Sequence, residues 1–371
     1  MEKKRMDWID GIKLLACICV FLSHFHGFFY EQCGVKQLSA GFGAVIQSSF
    51  NILKNGNLWV CLFCVLSGYF ASKKEIKTWK ELVKAMVNRY LRFFFPLLCV
   101  NGIAFVLYHL HCFQTQYYAQ VLQNEWIGGY YGFEITPWIV LRASIKMTSE
   151  LNSPLWMLFA MFVGSCVIYV CKFAVSKWKA KYVNIAVVVL WAVMMVAFPE
   201  KHGVYLYSII TAFGGFLKVL MDKQFLGKQK PIVNVLIILG IYICFSLIQG
   251  IVLDAIGNYP EYIVQYLQAI YSVLFVVSVN NLEGLKCALE CKGLKKTNCL
   301  SFGIYLLHWF VLSSFSLAVY GVLIKHFSAD IVYCINLFAS LAVVLLVSKL
   351  FCITVEKWSG LLTKKIMSFG K

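Results

Sequence analysis

Ten long apolar runs divide this chain, and they limit its fold more than any other feature. Sixty percent of the 371 residues are hydrophobic and 14% are charged. An α-helix of about 20 residues rises about 30 Å, the thickness of the hydrocarbon core of a bilayer. The pattern predicts an all-α polytopic membrane protein, a bundle of about ten transmembrane helices near 8–30, 57–72, 89–110, 155–173, 183–199, 204–221, 231–253, 262–280, 299–323 and 331–353.

The positions of the cations predict how this bundle is oriented. Short cytoplasmic loops carry an excess of lysine and arginine. With the N-terminus inside, 25 of the 34 lysines and arginines fall in inner segments, and the outer segments hold Lys36, Arg142, Lys146, Lys201 and Lys325. Both termini are therefore predicted to be cytoplasmic. The net charge of +17 follows from this topology, so no nucleic-acid partner is needed to explain it.

We find no internal repeat and no linker, so residues 1–371 are predicted to form one transmembrane domain. Its longest outer segment covers about 111–153 and is rich in aromatic residues, Trp126 and Tyr130 among them. Such rings are typical of interface anchors, and alternatively they line a docking surface for a sugar-like or lipid-linked acceptor. Most of the 15 cysteines lie in apolar segments and are interpreted as packing residues, and no metal site is predicted.

Ionisable residues inside the first run are the first functional candidates, because such groups are costly in hydrocarbon and usually functional. Asp10 and Lys13 stand three residues apart and can pair on one helix face. His24 follows Lys13 by eleven residues, about three turns, so it projects from the same side. Counted from Trp8, it lies about 24 Å along the axis, toward the outer leaflet. An interfacial histidine satisfied by water is the plainer interpretation of His24 alone.

Two further clusters extend the polar path. Arg89 and Arg92, one turn apart at the inner end of the third run, present two guanidinium groups suited to phosphate oxygens. Tyr305 and His308 belong to S-F-G-I-Y-L-L-H, with His308 about 13 Å into its span. A path with arginines at its inner mouth and histidines further out suits a long ligand with a polyanionic end and a reactive end. Acyl-coenzyme A has that shape. A transporter or flippase with a buried His/Arg pathway is the alternative, against which stands the lack of an evident inverted repeat.

Five motifs in order resemble the acyltransferase-3 family of integral membrane acyltransferases. They are D-G-I-K-L-L-A followed by His24, F-C-V-L-S-G-Y-F, the run with Arg89, Arg92 and Pro96, L-W-M-L, and S-F-G-I-Y-L-L-H. Lys13 stands where the family's arginine precedes the histidine, and Met161 or a neighbour stands where many polysaccharide-modifying members have glutamate. Bacterial members typically O-acetylate cell-surface glycans.

The resemblance implies transfer of an acyl group, most simply acetyl, from cytoplasmic acetyl-CoA to a hydroxyl of an extracytoplasmic glycan or lipid-linked sugar. It further implies residence in a bacterial cytoplasmic membrane; the oligomeric state stays open, a homodimer included. On this basis His24 is the catalytic base or a transient acyl carrier, assisted by Lys13 paired with Asp10. Coenzyme A binding is expected from Arg89, Arg92, Ser67, Tyr305 and His308.

Overall fold

A computed structural model describes residues 6–29, 38–49, 52–197, 202–227, 229–247 and 261–368. Within these ranges the regular structure is entirely helical, which confirms the all-α prediction. The α-helices are Asp7–Phe29, Ala40–Ser49, Gly56–Ser72, Trp79–His109, Thr115–Val121, Glu125–Gly128, Pro137–Lys146, Trp156–Val175, Ala180–Ala197, His202–Asp222, Pro231–Leu247, Glu261–Asn280, Glu283–Leu289, Lys292–Thr297, Ser301–Val311, Leu317–Leu323, Ala329–Phe351 and Lys357–Ser368.

Seven helical stretches in the described ranges are long and apolar enough to cross a bilayer, so the chain is a multi-pass membrane protein. They are Asp7–Phe29, Trp79–His109, Ser153–Val175, Gly203–Asp222, Tyr262–Asn280, Lys292–Leu323 and Ala329–Ser368. Each contains or closely matches a predicted run. The predicted runs at 57–72 and 231–253 correspond to shorter apolar helices, and residues 248–253 lie outside the described ranges. The count of ten and the cytoplasmic termini stay predictions.

The chain separates into two compact units. The first comprises Met1–Gly56, Phe93–Leu155 and Lys292–Lys364, and the second comprises Asn57–Arg92, Trp156–Cys291 and Lys365–Lys371. Whether residues 1–371 act as one domain stays a prediction.

In the first unit, the helix Asp7–Phe29 runs parallel to the helical stretch that begins at Lys292. Lys295 Nζ lies 2.5 Å from the Asp7 carboxylate near their N-terminal ends. Further along, the Cys17 thiol donates to the Ser301 carbonyl oxygen at 2.8 Å. Contacts therefore progress in the same direction on both helices, which fixes their relative register.

The helix Ala329–Phe351 packs antiparallel to this second stretch. A π-helical turn at Leu312–Ser316 interrupts the stretch. The wider turn changes the direction of its backbone carbonyl groups. Asn336 Nδ2 donates to the Ser316 carbonyl oxygen at 3.1 Å. Ser340 and Ser316 share a hydrogen bond of 2.5 Å between their hydroxyls. The irregular turn is thus satisfied by polar side chains of its neighbour, as buried backbone groups require.

The long segment predicted outside the membrane, 111–153, folds onto the helices of the first unit. Its Gln114 amide donates to the Ser313 carbonyl oxygen at 3.2 Å. The Phe113 and Tyr131 rings stack with centroids 3.6 Å apart, and the Tyr131 hydroxyl donates to the Leu151 carbonyl oxygen at 2.9 Å. Burial raises the pKa of Tyr131 well above its usual value. This segment is a packed layer rather than a plain connection.

The second unit contains a close crossing of the helices Gly56–Ser72 and His202–Asp222. A Cβ atom built on Gly214 would lie 2.2 Å from the Tyr69 amide nitrogen and 2.3 Å from the Val65 carbonyl oxygen. Only glycine, which has no Cβ, permits backbones to approach so closely. The crossing positions the segment that carries Ser67.

A capping box begins the next helix of the second unit. The Glu81 amide donates to Thr78 Oγ1 at 3.2 Å, and the Thr78 amide donates to the Glu81 carboxylate at 3.0 Å. This reciprocal pair satisfies amides that the first turn leaves without helical partners. The helix therefore begins at Trp79, ten residues before the apolar run predicted at 89–110.

Candidate functional site

Two histidines from distant parts of the sequence meet in the first unit. His24 Nδ1 lies 2.7 Å from His308 Nε2, and the ring planes are inclined by only 13°. His308 is fully buried and His24 is half-buried. The apolar run predicted to begin at 299 places the two histidines at different depths. The helical stretch starts at Lys292, so both histidines lie a similar distance, sixteen to seventeen residues, from the start of their parallel helices.

Hydrogen bonding assigns the protons of this pair. His308 Nδ1 lies 2.9 Å from the Ile304 carbonyl oxygen, and a carbonyl oxygen only accepts, so Nδ1 of His308 carries the proton. In the neutral His308 ring Nε2 is then an acceptor, and it accepts a hydrogen bond from the protonated Nδ1 of His24. Neutral His24 consequently carries its lone pair on Nε2. The chain from Ile304 through His308 orients one basic nitrogen of His24.

Aromatic rings surround His24. Trp309 meets it edge-on at 5.7 Å between centroids, and Trp126 lies at 5.8 Å. Phe28 contacts both tryptophans, and Tyr130 lies 4.8 Å from Trp309. Trp309 is fully buried, whereas Trp126 is 37% exposed. The histidine therefore has an apolar wall, one member of which reaches the surface.

Asn124 and Gly27 hold Trp126 in this position. Asn124 Oδ1 accepts from the Ile127 amide at 3.3 Å and caps the short helix that carries Trp126. Its Nδ2 donates to the Gly27 carbonyl oxygen at 3.0 Å. A Cβ atom on Gly27 would lie 3.0 Å from the Trp126 ring. The Asn124 side chain thus bonds the outer segment to the first helix beside His24, and the lack of a side chain at Gly27 leaves room for the Trp126 ring.

Tyr305 lies one turn before His308 and is fixed by its backbone surroundings. Its hydroxyl donates to the Pro154 carbonyl oxygen, and its ring is buried. Asn152 Nδ2 donates to the Leu306 carbonyl oxygen at 2.7 Å. These two bonds join the His308 helix to residues 152–154, so Tyr305 helps to position His308.

Asp10 and Lys13 form the predicted pair. Lys13 Nζ lies 2.5 Å from the Asp10 carboxylate, and the side chains are 29% and 17% exposed. The Glu356 carboxylate also interacts electrostatically with Lys13. Three helical turns separate this pair from His24 on the same helix, so the structure does not bring Lys13 into contact with the histidines.

The remaining predicted residues belong to the second unit. Arg89 donates from its guanidinium group to Ser67 Oγ, so the structure makes these two residues neighbours. Arg92 is exposed and interacts electrostatically with Arg89. The structure therefore groups the predicted residues by unit, with Asp10, Lys13, His24, Tyr305 and His308 in the first and Ser67, Arg89 and Arg92 in the second.

Sequence reasoning missed the two tryptophans of the apolar wall around His24 as site residues. Trp126 was interpreted mainly as an interface anchor, and Trp309 directly follows His308 without belonging to a distinctive pattern. In the described part of the chain, no three His, Cys, Asp or Glu side chains are grouped to hold a metal ion.

Together the fold and this site define an integral membrane protein with a hydrogen-bonded histidine pair buried among its helices. A family model described as an acyltransferase domain, that of the acyltransferase-3 family, matches residues 6–355. The chain belongs to this family and is a membrane acyltransferase. Comparisons with curated proteins and with solved structures found no match.

Proposed function

We propose that this protein transfers an acetyl group from cytoplasmic acetyl-CoA to a hydroxyl of an extracytoplasmic glycan or lipid-linked sugar. Capsular, exopolysaccharide and lipopolysaccharide sugars are the acceptors we favour, and the membrane is the bacterial cytoplasmic membrane. The family match supports acyl transfer over the transporter alternative. The choice of acetyl and of a glycan extends the motif resemblance.

His24 Nε2 is the proposed base. It takes the proton of the acceptor hydroxyl while that oxygen bonds to the thioester carbonyl carbon. The carbon–sulfur bond then breaks, and the coenzyme A thiolate recovers the proton from His24. In the alternative route, His24 Nε2 attacks the thioester carbon and the carbon–sulfur bond breaks to release the coenzyme A thiolate. The acceptor oxygen then takes the acyl group from the nitrogen, and the hydroxyl proton passes to the thiolate. Histidine suits either role because its ordinary pKa is near neutrality.

The single observation that carries this proposal is the hydrogen-bonded chain from Ile304 through His308 to His24. When Nε2 of His24 is protonated, the Nδ1 proton bonded to His308 can share the positive charge with the second ring. A base oriented by another group is the usual arrangement in acyl transfer. This gives His308 a positioning role, in addition to the coenzyme A binding expected from its motif.

Binding of the donor is assigned to the second unit. Arg89 and Arg92 supply the planar donors that suit phosphate oxygens, and Ser67 holds the Arg89 guanidinium in place. Lys13, neutralised in part by Asp10, is proposed to orient the donor's inner portion rather than to carry out proton transfer. No metal has a role in this reaction.

The test compares His24→Gln with His26→Gln in membranes supplied with labelled acetyl-CoA and the host glycan. His26 lies on the same helix and is within hydrogen-bond distance of Tyr333 and Lys54. We expect His24→Gln to lower transfer by about 10²- to 10⁴-fold, the usual contribution of a general base. His26→Gln retains transfer. Wild-type O-acetyl signals in the glycan NMR spectrum of the His24→Gln strain, with the variant present in its membranes, would overturn the assignment.

A further inference from the structure

Lys74 is a lysine of the second unit whose ammonium group lies over an aromatic ring, as that of the adjacent Lys73 does. Lys74 lies in the turn after the helix Gly56–Ser72, half-buried, with Nζ 5.3 Å from the centroid of the Tyr169 ring. A cation over an aromatic face is attracted by the ring's electrons. Tyr169 itself is 2% exposed, so packing holds its ring in place against the ammonium group.

Three cations converge at this ring. Tyr169 interacts electrostatically with both Arg89 and Arg92, and the two arginines interact with each other. Burial lowers the pKa of Lys74, and repulsion from Arg89 and Arg92 lowers it further. Both charged side chains that lower the pKa of Lys74 are therefore cations. Like charges gathered on a partly buried surface favour binding of an anion.

Neighbouring lysines show the contrast. Lys77 lies 3.4 Å from the Glu75 carboxylate, and Lys218 pairs with Asp222. Lys172 donates to the Ser72 carbonyl oxygen and also interacts with Glu75 and Asp222. Each of these ammonium groups has an oxygen partner from the protein itself. Lys74 has its ammonium directed at a ring instead, where the donors remain suited to an external oxygen.

We infer that Lys74 recognises the ribose 3′-phosphate of coenzyme A, with Arg92 beside it. This inference rests on the proposed use of coenzyme A as the acyl carrier. The pantetheine arm leaves from the pyrophosphate, whereas the 3′-phosphate lies at the opposite, nucleotide end. Arg89 is hydrogen-bonded to Ser67, but Arg92 is exposed and Lys74 is half-buried. The two more exposed cations, Lys74 and Arg92, are therefore assigned to the 3′-phosphate, and Arg89 is left for the pyrophosphate, to which the pantetheine arm is attached.

A phosphate monoester carries up to two charges at neutral pH and has three acceptor oxygens, as in phosphorylated side chains. Lysine binds phosphate as a point charge, and arginine adds a bidentate fork. A site built from both discriminates coenzyme A from its 3′-dephospho form, because the latter offers a hydroxyl where the cations face a dianion. Selectivity for the 3′-phosphate, rather than general affinity, is the property assigned to Lys74.

The experiment measures binding of coenzyme A and of 3′-dephospho-coenzyme A to purified full-length protein in detergent. Lys74→Met is compared with Lys77→Met, because Lys77 lies three residues away and is already paired with Glu75. We expect Lys74→Met to weaken coenzyme A binding by roughly 10- to 100-fold, as loss of a charge-assisted hydrogen bond implies. Its affinity for the dephospho form stays within about threefold of wild type. Lys77→Met changes neither affinity.

Equal weakening of both ligands in Lys74→Met, or no weakening of either, overturns the inference. Lys74→Arg keeps the charge, so it retains a preference for coenzyme A and provides a second reading if the methionine variant unfolds. Wild-type protein that transfers acetyl groups without preferring coenzyme A to its dephospho form also contradicts the inference while leaving the proposed function intact. Wild-type protein that binds neither ligand contradicts the proposed function itself.

Discussion

Replacing Gly214 by alanine tests the close helix crossing in the second unit. The added Cβ would meet three backbone atoms, the Tyr69 nitrogen at 2.2 Å, the Val65 carbonyl oxygen at 2.3 Å and the Gly68 carbonyl carbon at 2.4 Å. Real Cβ atoms essentially never approach closer than 3.0 Å. The helices must therefore separate by about 0.8 Å, and backbone atoms cannot rotate away as a side chain does.

Overpacking of this kind costs about 1–3 kcal/mol, and separation also removes contacts along the crossing. The matched control is Gly215→Ala, because a Cβ there meets no atom within 4 Å. Alanine is the better helix former by up to about 1 kcal/mol, so the control is neutral or stabilising. Thermal unfolding in detergent, followed by the fluorescence of a thiol-reactive dye or by retention on size exclusion, measures both variants against wild type.

The expected order of midpoints places Gly214→Ala clearly below wild type and Gly215→Ala at or above it. The helix that separates carries Ser67, the hydrogen-bond partner of Arg89. Gly214→Ala should therefore also weaken coenzyme A binding in the fraction that remains folded. Equal midpoints for the two alanine variants would refute the close crossing, because both positions would then have the same free space.

Three further changes test the first unit by thermal unfolding. Asn124→Ala leaves the Gly27 carbonyl without its donor and should cost about 1–3 kcal/mol; an unchanged midpoint would refute the anchoring of the outer segment. Arg142→Gln removes an ion pair whose side chains are each 39% exposed, so the loss should stay below about 1 kcal/mol; a large loss would contradict that exposure. Burial raises the pKa of Tyr131 well above its usual value, so the unfolded chain loses this proton near about pH 10 while the folded chain keeps it. Stability from this group falls as the pH rises past that point, and the advantage of wild type over Tyr131→Phe should shrink; a constant difference would contradict it.

Apolar length predicted most of the helices because it measures a physical requirement of the bilayer. It located the starts of Asp7–Phe29 and Ala329–Phe351 within two residues. It placed the start of Trp79–His109 ten residues too late, because the first turns of that helix are stabilised by the Thr78 and Glu81 cap rather than by hydrocarbon. Hydropathy contains no term for such local hydrogen bonds.

The site was only partly visible in the sequence. Asp10 and Lys13 pair within one helix, so their spacing alone predicted the contact. The histidine contact joins residues 284 positions apart, and no local pattern encodes a register between two helices. The start of the second helix decided that register, through turns at 292–300 that are too polar to count as an apolar run. Trp126 lies beside His24 because Asn124 bonds its short helix to Gly27. In the sequence, Asn124 resembles any other loop asparagine.

The separation of the two histidines also has a consequence for biosynthesis. Chains emerge from the ribosome N-terminus first, at about 5–20 residues per second, so roughly 15–60 s pass between synthesis of His24 and of His308. Asp10 and Lys13 can neutralise each other as soon as their helix forms, since both belong to one turn. His24 has no such local partner and must enter the membrane with its Nδ1 proton unsatisfied or hydrated. The first helix therefore gains its protein hydrogen-bond partner for His24 only after the helix that carries His308 has been synthesised.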